Sequence, residues 1–397
     1  MRAAFGKAGI QPNAFDRYPT LTPINIGTQL AFALPGAQNN PDLNVEVSRE
    51  IELGTDISIK GLSGNWFSNF ALSATYWTRK GNNIIYNISE APSTGASTLK
   101  TNAIDLSSHG IQASLNINIL QAKGFNWNFT TNFSNETSRI DKINGPPIIL
   151  TSSAGSTQEV LIAGQKIGQI YGYKALTTLD QKNLEGVPYI NASDYGNYEI
   201  VNGRVVNKTT KGVQFTNEVY ALGDPNPKFN MSFINSFNYK NLSFGFQFDW
   251  VQGSHLYNQT KEWMYRDGIS GDYDTPVTIN GTTAAYTAYY RSIYADYFGA
   301  RNGPARNGTK DYFYEDASFL RLRNISLSYD FSNLIKNKVF KRVRLTFTGR
   351  NILTFTKYTG FDPEISSGTS NSAFDRGVDH DSMPNTKSYQ LGLNLGF

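Results

Sequence analysis

The sequence predicts an all-β fold, a transmembrane antiparallel β-barrel, and three observations carry that expectation. Apolar residues recur at every second position over many short segments, the period of a strand with two unlike faces rather than of a helix. Short turns join some of these segments, whereas residues 134–229, 252–317 and 351–385 form long connections rich in Gly, Asn, Ser, Asp and Tyr. Short turns on one side and long loops on the other mark membrane barrels. The chain also ends in SYQLGLNLGF, a strand running to an aromatic final residue with no polar tail. Such a strand needs both edges held, and a closed sheet holds them.

Residues 1–9 read as a first strand. Ile51, Leu53, Thr55, Ile57 and Ile59 then alternate with Glu52, Gly54, Asp56, Ser58 and Lys60, and Phe70, Leu72, Ala74 and Tyr76 follow. Ile111, Ala113, Leu115, Ile117 and Ile119 alternate with Gln112, Ser114, Asn116 and Asn118. Gln121–Gly124 is a tight turn into Phe125, Trp127, Phe129 and Phe133. Met231, Phe233, Phe237 and Tyr239 pass through Lys240 and Asn241 into Leu242, Phe244, Phe246, Phe248 and Trp250. Ile325, Leu327, Tyr329 and Phe331 form the next strand, and residues 333–341 lead to Val343, Leu345 and Phe347. Tyr389, Leu391, Leu393, Leu395 and Phe397 close the series. The count is about ten strands, enough for a small barrel or for part of a larger one. Tyr76, Trp77, Tyr239 and Trp250 lie near strand ends, where an interfacial aromatic girdle would fall.

Composition narrows the function. Only 17% of the 397 residues are charged, while Tyr and Phe number 23 and 25, which suits sheets whose faces meet different solvents. Cysteine is absent, so disulfides and thiolate metal sites are excluded. The net charge of +4 is small and dispersed, with no basic patch beside an aromatic platform, so nucleic acid is not an expected partner. No apolar run approaches the roughly 18 residues of a membrane helix.

No catalytic constellation stands out, and the chain reads as a non-enzyme without cofactor. Its three histidines, His109, His255 and His380, lie far apart. His380 is flanked by Asp379 and Asp381, but the group matches no defined ligand pattern, and no metal site is assigned. Gly164, Gly168 and Gly172 lack the spacing and the strand–helix context of a nucleotide fingerprint. Arg321, Arg323, Arg344 and Arg350 fall between apolar positions, so they point to the polar face and need partners such as Asp330. Glu50 and Glu52 are expected to pair within the sheet.

Five segments are more specific than any periodicity: NPDLNVEVSREIELGTDISI at 40–59, GQKIGQIYGYKAL at 164–176, LGDPNPKFNMSFINSFNYKNLSFGFQFDWVQG at 222–253, YEDASFLRLRNISLSYDF at 314–331 and GRNILTFTKYTGFDPEI at 349–365. Together they resemble the C-terminal barrel portion of the SusC/RagA-like outer-membrane transporters, the TonB-dependent family of Bacteroidetes. The resemblance implies that residues 1–397 form part of a barrel of about 22 strands, with long extracellular loops and without the N-terminal plug, TonB box and signal peptide. It implies a cell outer-membrane, multi-pass location in contact with lipid, and import of oligosaccharides or peptides. The implied partners are a SusD-like surface lipoprotein and, through the missing N-terminal part, the TonB complex.

Within that frame the solute would stack on flat apolar rings with polar neighbours. Trp263, Tyr265, Tyr286, Tyr289 and Tyr290 are the expected contacts, with Tyr294 and Tyr297 in the same run; the same surfaces would also suit a seal against the lipoprotein. Phe397 resembles the terminal signal read by the outer-membrane insertion machinery. Two rival readings accompany this one. One is a stand-alone small passive porin; the other is a soluble β-sandwich module for adhesion or glycan binding.

Overall fold

The structure, a computed structural model, describes residues 1–18, 21–33, 37–61, 64–89, 91, 93, 98–151, 158–294, 310–335, 340–366 and 376–397. Ten strands build its main sheet: β1 (Arg2–Ile10), β2 (Glu46–Lys60), β3 (Trp66–Ser89), β4 (Thr98–Ala122), β5 (Phe125–Ile143), β6 (Phe229–Tyr239), β7 (Leu242–Gln252), β8 (Phe319–Asp330), β9 (Arg342–Thr356) and β10 (Ser388–Gly396). They lie side by side in chain order, each antiparallel to the next. The short segment Ala37–Gln38 adds in parallel to β4.

This sheet is open. Among the described residues β1 is hydrogen-bonded to β2 alone and β10 to β9 alone. The closed transmembrane barrel expected from the sequence is thereby corrected, and with it the outer-membrane, multi-pass barrel location that depended on closure. Alternation decides which face a side chain takes. Closure depends on strand number, tilt and stagger, and alternation encodes none of these. No helix among the described residues is long and apolar enough to cross a membrane.

Register explains the two faces. Leu53 lies opposite Tyr76, Tyr76 opposite Ile111, and Leu72 opposite Leu115. Farther along, Phe237 faces Phe244, Phe244 faces Leu327, Leu327 faces Phe347, and Phe347 faces Leu391. A continuous apolar surface therefore crosses all ten strands. Its rings stack across strands: Trp127 and Phe237 are 5.4 Å apart, Phe237 and Phe244 5.9 Å. Each such pair contributes roughly 0.2–1 kcal/mol. Much of the surface is uncovered, with Leu391 71% exposed.

The opposite face is polar. Asn116 Nδ2 donates to Thr130 Oγ1 at 2.7 Å, and Asn132 Nδ2 to Ser232 Oγ at 3.2 Å. Ser73 Oγ donates to Asp56 Oδ1 at 2.7 Å, and Glu50 pairs with Arg79.

The tight turns have local causes. Only Lys123 and Gly124 separate β4 from β5, and Gly124 has φ +81°, a region glycine enters without steric penalty. The neighbouring β6–β7 turn is tied to it, because the Lys240 amide donates to the Gly124 carbonyl at 2.9 Å.

A second glycine is needed for close approach. A Cβ at Gly110 on β4 would lie 2.3 Å from the Asn135 carbonyl oxygen and 3.0 Å from the Trp77 ring. Gly110→Ala is expected to destabilise the protein by about 1–3 kcal/mol, read by denaturant unfolding. Gly392→Ala should be near neutral, because a Cβ there would lie 3.9 Å from the Thr346 carbonyl oxygen.

The long connections fold into lobes. Between β5 and β6, Ile148–Thr151, Gln158–Leu161, Ile170–Gly172 and Tyr220–Gly223 make a four-stranded sheet, and Tyr198–Val201 with Arg204–Asn207 make a hairpin. Between β7 and β8 lie helices α1 (Gln259–Asp267) and α2 (Thr287–Tyr294). The strand His255–Asn258 from this connection pairs with Tyr314–Asp316 and, in parallel, with Val378–Asp379 from the β9–β10 connection. One core joins the first two connections: Ile170, Val206, Tyr257, Tyr265, Ile279, Tyr289, Ile293 and Phe313 are all buried in it. A second core of Ile88, Ile104, Ile140, Ile148, Leu161 and Ile167 seats the first connection on β3–β5.

Candidate functional site

The two helices set up the site. Asn258 caps α1, its Oδ1 accepting the Lys261 amide at 2.9 Å, and Gly268 ends it at φ +72°. These are the ordinary start and stop of a short helix. Gln259, Glu262 and Tyr265 form the buried face of α1, and Tyr289, Tyr290 and Ile293 that of α2. Arg266 and Arg291 each sit in the last turn of their helix, where a cation is favoured by the helix dipole.

Tyr265 is the hub. It is fully buried, and its ring lies 5.3 Å from Phe313, 5.5 Å from Tyr273 and 5.5 Å from Tyr312. Its hydroxyl donates to Asp272 Oδ2 at 2.5 Å and stands 2.6 Å from the Tyr312 hydroxyl. Burial, reinforced by the Asp272 bond, raises the Tyr265 pKa far above the phenol range. The side chain stays a neutral donor.

Beside this hub lies a cavity of about 570 Å³. Leu176, Tyr189, Tyr198, Val213 and Phe215 line it from the β5–β6 connection; Tyr265, Arg266, Arg291 and Tyr294 line it from the helices, and Lys310 completes it. Tyr189 donates to Glu218 Oε2 at 2.5 Å and lies 2.9 Å from the Tyr220 hydroxyl. Burial first, then these two bonds, hold the Tyr189 pKa above the usual range. Lys310 is 3% exposed, its ammonium 5.2 Å from the Tyr173 ring and 5.1 Å from that of Phe215. Arg266 lies 4.6 Å over Trp263 and bonds Asp267 at 2.7 Å. The chamber thus combines flat rings, hydroxyls and cations, the elements of a site for a polar solute with apolar faces.

The structure separates the aromatic residues singled out in the sequence. Tyr265 lines the cavity. Tyr289 and Tyr290 are buried edge to face at 5.0 Å, in the lobe core. Tyr286 is half-buried, with the Lys211 ammonium 5.4 Å over its ring. Trp263 packs edge-on to His380 at 4.5 Å, outside the cavity lining. Tyr294 lines the cavity, and Tyr297 lies outside the described residues. Phe397 is exposed, 5.3 Å from Phe340. Tyr189, Tyr198, Arg266, Arg291 and Lys310 were not singled out as solute contacts, because their convergence needs the tertiary fold. Around His380 no metal centre forms: Asp379 is buried under the Tyr358 hydroxyl at 2.6 Å, and no group of three or more His, Asp or Glu among the described residues could hold a metal ion.

A second arrangement pins a loop to the polar face. The β8 ladder shifts register between Leu322 and Asn324. This bulge leaves Arg323 as an extra residue against β7; Arg321 and Arg323 bind a common carboxylate, Glu364. Arg321 binds Asp362, reaches Glu364 Oε2 at 2.6 Å and donates to Thr354 Oγ1 at 3.0 Å. Arg323 binds Asp249 at 2.7 Å and Glu364 Oε1 at 2.7 Å. The Asn385 amide donates to Asp362 Oδ2 at 3.0 Å. Burial alone would raise the Asp362 pKa, but the Arg321 bond and charge outweigh it and hold it below the ordinary carboxylate value. Arg344 meets Asp330 at 3.5 Å.

Comparison with known proteins adds the following. The family model described as "TonB dependent receptor-like, beta-barrel" matches residues 1–198. TonB-dependent receptor P3 of Formosa agariphila is 27% identical over 90% of this chain and 35% of its own. TonB-dependent receptor SusC of Bacteroides thetaiotaomicron is 26% identical over 74% of this chain and 26% of its own. The solved structure of the RagAB peptide transporter superposes with a TM-score of 0.66 at 18% identity, covering 100% of this chain and 40% of that one; at that identity the likeness concerns the fold. The chain spans 35% and 40% of the first two curated relatives it matches. It therefore resembles the TonB-dependent, SusC/RagA-type receptors at family level.

Proposed function

We propose that the chain supplies the solute-capturing loops and part of the polar passage of a nutrient importer for oligosaccharides or peptides. One observation carries the reading: an aromatic and cationic cavity is built where the long connections of a two-faced sheet meet. The polar face offers Asn, Ser, Thr and paired charges along which a hydrated solute can pass, and the apolar face is left for another covering. The resemblance to RagAB and SusC supports a SusD-like lipoprotein as the partner that closes over the lobes, and TonB as the energy source acting through other parts of the assembly. Exposed apolar residues on the lobes, Leu184, Val187 and Ile269, suit such a partner surface.

A photo-crosslinker at Leu184 or Ile269 in producing cells is expected to capture one lipoprotein. The same probe at Lys123, in a tight turn of the main sheet, should not. Equal capture at both places would sink the pairing.

A second reading is favoured by the open sheet, which encloses no passage among the described residues. It is a glycan-binding module that holds solute in the lobe without moving it. Uptake of a bound solute distinguishes the importer from this module.

A further inference from the structure

We infer that the apolar face of the sheet docks on an anionic lipid surface, a row of cations at its lobe end meeting lipid phosphates. The inference goes beyond solute capture and does not rest on it, because the row lies on the face opposite the polar one. Lys7, Arg49, Lys80 and Arg139 are scattered through the sequence, and register alone aligns them. Lys7 on β1 lies opposite Arg49 on β2, and Arg49 opposite Lys80 on β3. Lys80 lies opposite Ser107 on β4, and Ser107 opposite Arg139 on β5. All four cations are exposed. Among the described residues none of the four forms an ion pair. Asp141 borders the row, accepting from the Ser107 hydroxyl at 2.6 Å, and offsets part of its charge.

The physical argument combines charge with position. Like charges placed directly opposite each other across a ladder repel and weaken it. An anion resting over them turns that repulsion into attraction. The row also borders exposed apolar side chains on the same face. Phe5 and Ile51 follow Lys7 and Arg49 two residues along their strands, about 7 Å away, and stand opposite each other. Leu53, Tyr76 and Ile111 form the next row and are exposed as well.

This order selects lipid over a soluble polyanion. A soluble polyanion would meet the cations and leave Phe5, Ile51, Leu53 and Ile111 in water. A lipid surface offers phosphate and then hydrocarbon, in the sequence in which the face presents its cations and its apolar rows. Each Lys or Arg held near an anionic membrane surface tightens binding roughly fivefold.

The test dilutes the purified chain from mild detergent into vesicles and reads binding by flotation. Vesicles of phosphatidylcholine alone are compared with vesicles in which about a third of the lipid is phosphatidylglycerol. Partition onto the charged vesicles is expected to be at least about tenfold stronger, and raising salt from roughly 0.05 to 0.5 M should remove most of that difference. Arg49→Gln with Lys80→Gln should lose about tenfold on the charged vesicles and nothing on the neutral ones. Lys123→Gln with Lys240→Gln makes the same charge change in the tight turns and should lose less than about twofold. Equal partition onto the two kinds of vesicle overturns the phosphate contact, and binding to neither overturns the whole inference. Equal losses from the two double variants would mean that net charge alone acts, which overturns the assignment to this row. Tighter binding of soluble polyphosphate than of charged vesicles assigns the row to a soluble polyanion and overturns the lipid. The salt series on the unaltered chain keeps the test decisive if a variant fails to fold.

Discussion

Arg321→Met loosens the loop that crosses the polar face and costs about 3–5 kcal/mol, the usual penalty for stripping one partner from a buried ion pair. The Arg321 and Asp362 side chains are 3% and 5% exposed, so water cannot replace the missing guanidinium. Among the described residues, Asp362 would keep the Glu364 and Asn385 amides as donors. Hydrogen exchange at residues 358–365 and at Asn385 is the readout, and both should accelerate far more than the strands β3–β5. Arg323→Met serves as the comparison. Its side chain is 27% exposed, and solvent screening limits the loss to about 1 kcal/mol. Arg321→Met combined with Asp362→Leu should recover much of the loss, since a matched apolar pair leaves no charge stranded. Unchanged exchange in Arg321→Met would mean that the loop is held by backbone pairing through Val378–Asp379 rather than by charge.

Tyr265→Ala is expected to be the most damaging single change in the lobes, at about 3–5 kcal/mol. It empties the centre of a cluster that includes Phe313, Tyr273, Tyr290 and Tyr312. Tyr265→Phe keeps the ring and removes only the hydroxyl; Asp272, 44% exposed, keeps water and the Lys261 ammonium at 3.9 Å, so the loss is smaller, about 0.5–1.5 kcal/mol. Near-ultraviolet dichroism and protease sensitivity of residues 255–294 would report both. If Tyr265→Ala matches Tyr265→Phe, the hydroxyl network rather than packing holds the lobe.

The strands were legible because each carries its own signal. Ile51 to Ile59, Ile111 to Ile119 and Tyr389 to Phe397 alternate without reference to any other segment. Closure was not legible, because it is a relation between β1 and β10, which share no local pattern. The bulge at Arg323 was hidden as well: one extra residue looks like ordinary sequence until two neighbouring ladders are compared.

The burial of Tyr289 and Tyr290 has a different signal. Tyr286, Tyr289, Tyr290 and Ile293 have the 3, 4 spacing of a helix face, and that signal was present in the sequence. Tyr289 and Tyr290, expected to meet solute, lie with Ile293 on the buried face of α2, while Tyr286 stands just before the helix and is half-buried. The cavity cations Arg266 and Arg291 follow directly after Tyr265 and Tyr290, yet only the packing of α1 against α2 brings them together.

The order of the strands carries one more consequence. Because neighbours in the sheet are neighbours in the chain, every long insertion begins and ends on strands that are already adjacent. Lengthening such an insertion costs only about 0.6 kcal/mol for each doubling, and no ladder has to be rebuilt. Inheritance can therefore vary the outward parts of these insertions by length and composition, while the residues that pack one connection on another and on β3–β5 change only together.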